Sequence, residues 1–151
     1  MSPRERIAAL AEGRDPKAVL RLESGWVTLA ENQFLRGYCL LLADPMVGQL
    51  TDLSVTDQAK FLADMAAVGR AVQAVTGAVR MNFAIYGNLD PFLHAHIWPR
   101  FADESEVLRT LPPLTFPSEV RTAEATAFHV DQHESLRQQL EEELRRVVSA
   151  G

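Results

Sequence analysis

The chain has one cysteine, Cys39, so no disulfide can close within it, and a reducing compartment is expected. It has no run of lysines and arginines, and its 151 residues carry a net charge of -5. Both features argue against a nucleic-acid footprint, though a few amides or a single arginine can still bind a local anion. No apolar stretch approaches the roughly 20 residues that a membrane-spanning helix needs. The opening Met-Ser-Pro-Arg-Glu-Arg lacks the apolar centre of a signal peptide. A cytoplasmic protein with no membrane or nucleic-acid partner is the expectation. Internal repeats and low-complexity linkers are also missing. What is present, 47% apolar and 23% charged residues, suits one globular domain over 1–151.

The pattern along the chain alternates between helix and strand signals. Residues 4–12 read as a short helix stopped by Gly13, and Asp15-Pro16 as a turn or a second helix start. Residues 18–22 are too short to assign. Residues 25–30 and 38–43 are rich in strand formers, and their short connection suggests an antiparallel hairpin. Residues 56–75 repeat Phe61, Met65, Val68, Val72 and Val75 at helical spacing, with Ser54 or Thr56 as cap and Gly77 as stop. Two further strands are expected, 79–86 and 92–98, the second ended by Pro99. Residues 102–128 hold Pro112, Pro113 and Pro117 and read as a surface excursion. Residues 131–148 form a last helix on a stripe of Leu136, Leu140, Leu144, Val147 and Val148. The fold class is α+β, an antiparallel sheet packed by a long helix, with an added C-terminal helix.

Chemistry concentrates in Asn82 to Phe101. His94 and His96 alternate with Leu93, Ala95 and Ile97, so a strand turns both imidazoles to one face and an apolar set to the other. A neutral imidazole is a good nucleophile near pH 7. His129 and His133 lie one turn apart without evident partners, and are expected to be solvated.

Gly87-Asn88 followed by Pro91-Phe92-Leu93-His94-Ala95-His96-Ile97-Trp98-Pro99-Arg100 resembles the signature of the histidine triad family, three alternating histidines before Pro-Arg. Asn32-Gln33-Phe34-Leu35-Arg36-Gly37 ahead of a buried strand, Leu50-Thr51-Asp52-Leu53-Ser54 leading into a helix, and Asn82 in the next strand fit the same layout. The likeness covers about 22–101 and leaves 102–151 as an extension. It implies a nucleotide-binding fold that forms a homodimer, and a hydrolase or nucleotidyl transferase acting at the phosphate next to the nucleoside. Aligned on Pro99-Arg100, His94 takes the place of the histidine that attacks phosphorus to give a nucleotidyl-histidine. His96 would donate to the phosphate or the departing group. Asn88 and Arg100 are the implied phosphate contacts, Glu31 or Asn32 the ribose contact, and Trp26, Phe34 and Leu35 candidates for packing the base. The substrate would be a dinucleoside polyphosphate or a nucleoside phosphoramidate. No cofactor or metal is implied, though a divalent cation can accompany a polyphosphate.

Phe92 departs from the pattern, because it stands where the first histidine is expected to orient the nucleophile. His94 would then need another partner, such as a backbone carbonyl. A catalytically slow nucleotide-binding or sensor protein on the same fold is therefore a second reading. A third is a metal-dependent cupin-like enzyme, whose His-x-His strand also expects a carboxylate four or five residues later. Arg100 and Phe101 stand there instead.

Overall fold

Ser54 begins the helix that supports the sheet. Its hydroxyl accepts the Asp57 N–H at 3.1 Å, Asp57 lies in the positive first turn, and helix α2 runs from Val55 to Thr76. Gly77 then adopts φ 75°, a left-handed conformation suited to glycine, and ends it. One face of α2 buries Phe61, Val68 and Val72. Gly69 lies on that face for a steric reason: a Cβ there would stand 2.4 Å from the Phe83 ring.

The computed structural model describes residues 1–151. Its elements are α1 (Pro3–Ala11), β1 (Ala18–Arg21), β2 (Gly25–Leu29), β3 (Cys39–Ala43), α2, β4 (Arg80–Ile85), β5 (His94–Arg100), α3 (Ser118–Arg121) and α4 (Val130–Ala150). The strands form one antiparallel sheet in the order β1-β2-β3-β5-β4. Helices α2 and α4 cover the face that carries Val27, Leu29, Cys39, Leu41, Ala95 and Ile97, which is the main core. The sheet is open rather than a barrel, and no three His, Cys, Asp or Glu side chains gather to hold a metal ion. The cupin-like alternative fails on both counts.

Three expectations change. Residues 18–21 form the edge strand β1. The histidine strand starts at His94 rather than residue 92 and runs through Pro99 to Arg100. Proline is tolerated there because β3 pairing ends at Ile97, leaving Pro99 beside β4 alone. His133 is buried rather than solvated: its ring lies over Phe128 at 5.4 Å, and its Nδ1 accepts the His129 N–H at 3.0 Å. No helix is long and apolar enough to cross a membrane.

Segment 102–128 contains one short helix, α3, and two 3-10 turns, and lies over the second face of the sheet. It is tied back to the β2–β3 connection. Gln33 N–H donates to Thr126, Phe128 N–H donates to the Glu31 carbonyl, and Asn32 bridges Ala127. Helix α1 approaches the same sheet face, with Leu10 packed against Leu42 and Phe92.

Candidate functional site

Strand register places the site. Thr28 pairs with Leu40 and Leu40 with His96, while Trp26 pairs with Leu42 and Leu42 with His94. Both histidines therefore share the sheet face opposite the main core. The floor of a cavity of about 490 Å³ includes Thr28, Leu40, His94 and His96. Its walls come from α1 with the loop after it, from the β2–β3 connection, and from segment 102–128. A volume in this range suits a small organic ligand.

His94 is 7% exposed, and its ring stacks on Phe92 with centroids 4.7 Å apart. Its Nδ1 lies 2.8 Å from the Phe92 carbonyl oxygen. A carbonyl can only accept, so neutral His94 carries its proton on Nδ1 and keeps a lone pair on Nε2. The carbonyl partner expected on account of Phe92 is thus supplied by Phe92 itself.

His96 is held differently. Its Nδ1 lies 2.6 Å from the Tyr38 hydroxyl, and its ring stacks on Trp98 at 5.0 Å with the planes 6° apart. Burial, with His94 alongside, pushes its pKa down to about 4, so the ring is neutral at pH 7. Burial also pushes the Tyr38 phenol well up, so its proton stays on. When Tyr38 donates to Nδ1, His96 keeps an N–H at Nε2. In that arrangement two imidazoles 5.1 Å apart hold opposite tautomers, one a lone-pair donor and the other a proton donor. Tyr38 was not among the sequence candidates. It meets His96 only through the β3–β5 register, which no local motif reveals.

The other candidates divide. Glu31 is exposed at the cavity wall and its carboxylate has no bonded partner, whereas both ends of the Asn32 amide are occupied. Asn32 Nδ2 donates to the Ala123 carbonyl at 3.0 Å, and its Oδ1 accepts the Thr126 hydroxyl at 2.8 Å. Of the two ribose candidates, Glu31 is the one left free. Phe34 lines the cavity, edge-on to Tyr38 and Phe116 at 5.8 Å each. Leu35 is buried in the cluster beneath. Trp26 packs beside Phe92 and Leu42 and does not line the cavity.

Neither implied phosphate contact reaches the cavity. Asn88 is exposed in the turn before β5, and Asp90 is the residue of that turn at the wall. Arg100 is 7% exposed, and its guanidinium is fully engaged within the protein. Its Nη2 and Nε donate to Glu104, and Nη1 donates to Asn82 Oδ1 at 3.0 Å. The remaining N–H groups reach the Leu108 and Leu111 carbonyls at 3.0 and 2.7 Å. A buried guanidinium needs all of these partners, and here they anchor segment 102–128. The cations that do line the cavity, Arg6, Arg14, Lys17 and Arg121, lie outside 22–101, the stretch whose sequence resembles the family.

No protein-family model matches the chain, and no curated protein sequence does. Solved structures do match. A hypothetical histidine triad nucleotide-binding protein of Sulfolobus tokodaii superposes with a TM-score of 0.70 at 14% identity, over 93% of this chain and 91% of that one. A histidine triad protein of Sinorhizobium meliloti gives 0.69 at 18% identity, over 87% and 93%. One from Bradyrhizobium japonicum gives 0.68 at 22% identity, over 84% and 89%. The fold is that of the histidine triad proteins. This chain carries it with Phe92 in place of the first histidine.

Proposed function

We propose that this protein is a nucleotide hydrolase or nucleotidyl transferase working through a nucleotidyl-histidine. The Nδ1 contacts of the two rings, His94 with the Phe92 carbonyl and His96 with the Tyr38 hydroxyl, carry this reading, because they allow opposite tautomers. His94 Nε2 attacks the phosphorus next to the nucleoside; a P–N bond forms, and the bond to the leaving group breaks with its electron pair. His96 donates its Nε2–H to a non-bridging oxygen or to the departing atom, which stabilises charge as it develops. Water or another acceptor then attacks, the P–N bond breaks, and with water a nucleoside monophosphate and a proton are released. Glu31 is suited to the ribose hydroxyls and Phe34 to the base. A divalent cation would enter with a polyphosphate substrate.

The fold, shared with the hypothetical histidine triad nucleotide-binding protein of Sulfolobus tokodaii, supports the nucleotide part of the reading. Cys39 fits a cytoplasmic setting: it is buried, with its thiol pushed up to about 12 by that burial, and is inert rather than paired. The apolar seat of Phe92 and the position of Asn88 favour a slow enzyme or a nucleotide sensor as the second reading. Incubation with dinucleoside polyphosphates and nucleoside phosphoramidates, followed by intact-mass measurement, separates the two. An adduct of one nucleotidyl group marks the enzyme. Nucleotide binding with neither adduct nor product marks the sensor.

A further inference from the structure

Asn88 and Arg100 do not line the cavity, yet it is not short of positive charge. Four cations line it, against the carboxylates of Asp15, Glu31 and Asp90. Their partners distinguish them. Lys17 pairs with Asp15 at 3.2 Å, and Arg14 pairs with Glu12 at 2.6 Å. Arg6 is half-buried on α1 with no ion pair or side-chain hydrogen bond. It sits three and four residues before Ala9 and Leu10, both buried against the sheet, so helical spacing turns it toward the cavity. Arg121, on α3, is anchored by Nε donation to the Phe116 carbonyl at 2.9 Å, which leaves its two terminal nitrogens without partners. Two unpaired guanidinium groups thus enter one cavity from separate segments, and both segments lie outside 22–101. Unpaired arginines in a partly enclosed cavity are suited to phosphate oxygens, which they bind with charge-assisted and often bidentate bonds.

We infer that Arg6 and Arg121 form an anion clamp for phosphates beyond the one that His94 attacks, so that the ligand is a nucleoside or dinucleoside polyphosphate rather than a phosphoramidate. This rests on the nucleotide reading above and narrows its substrate class. The clamp adds phosphate contacts from outside the triad turn.

Calorimetric binding to the full chain tests it, with a non-hydrolysable dinucleoside tetraphosphate and the corresponding nucleoside monophosphate as probes. The wild type binds the tetraphosphate more tightly. Arg6→Gln and Arg121→Gln each reduce that preference about tenfold, the worth of one charge-assisted contact, and the double variant reduces it more. A preference within twofold of wild type in the double variant overturns the clamp, as does a wild type that binds both probes equally. A wild type that binds neither probe overturns the nucleotide reading itself. Binding without adduct removes only the catalytic step and leaves the clamp standing.

Discussion

Phe92 occupies the position where a histidine was expected to orient the proposed nucleophile, and its own carbonyl holds the His94 ring. The carbonyl fixes the His94 proton on Nδ1 while the phenyl ring stacks beneath the imidazole. The ring is 2% exposed and packs with Leu10 and Leu42. Phe92→His would bury a polar ring in that apolar cluster at a cost of about 1–3 kcal/mol. A lower melting temperature with no gain in turnover is expected; a folded variant with raised turnover would show that the phenyl limits the rate. His96 makes a second residue-scale prediction. Its folded pKa of about 4 lies below the ordinary 6.5, so between these values the unfolded chain binds more protons than the folded one. Stability from this group is complete above about pH 6.5 and is lost as the pH falls toward 4. Chemical denaturation across that interval should show the decline, and His96→Gln should flatten it. An unchanged slope in the variant would mean that His96 titrates normally.

At the scale of elements, the hairpin, the long helix and the two faces of the histidine strand could be read from local pattern, since each follows from a short period in apolar residues. What could not be read depends on partners distant in sequence. Pro99 looks like a strand end until the end of β3 pairing shows why it is allowed. Tyr38 and His96 stand 58 positions apart and meet only in the register of β3 with β5. Arg100 belongs to a motif, yet the carbonyls of 108 and 111 engage it, and an irregular segment gives no periodic sign of where they fall. The element β4 carries one more prediction. It is the sheet edge beside β5, with Phe83 and Tyr86 well exposed, and an unpaired edge of this kind is a template for another strand. We propose that the homodimer implied by the family resemblance forms through this edge. Sedimentation equilibrium at micromolar concentration should give twice the chain mass, and a single-chain mass would rule the assignment out.

Across the whole molecule, the division of labour is between the sheet with its two long helices and the segments on its other face. The five-stranded sheet with α2 and α4 on one face sets out the imidazoles, while α1 and segment 102–128 close the other face into a cavity. Those segments bring Arg6 and Arg121, which no motif in 22–101 announced, and their contribution emerges only when distant segments are placed over one sheet. The proposed chemistry nevertheless converges on a single atom, His94 Nε2. Intact-mass analysis after incubation with a dinucleoside polyphosphate, followed by peptide mapping, tests that atom most directly. Wild type should gain one nucleotidyl group on the peptide containing His94, and His94→Ala should gain none while still binding nucleotide. An adduct or undiminished turnover in the folded His94→Ala protein would contradict the assignment of His94 as nucleophile.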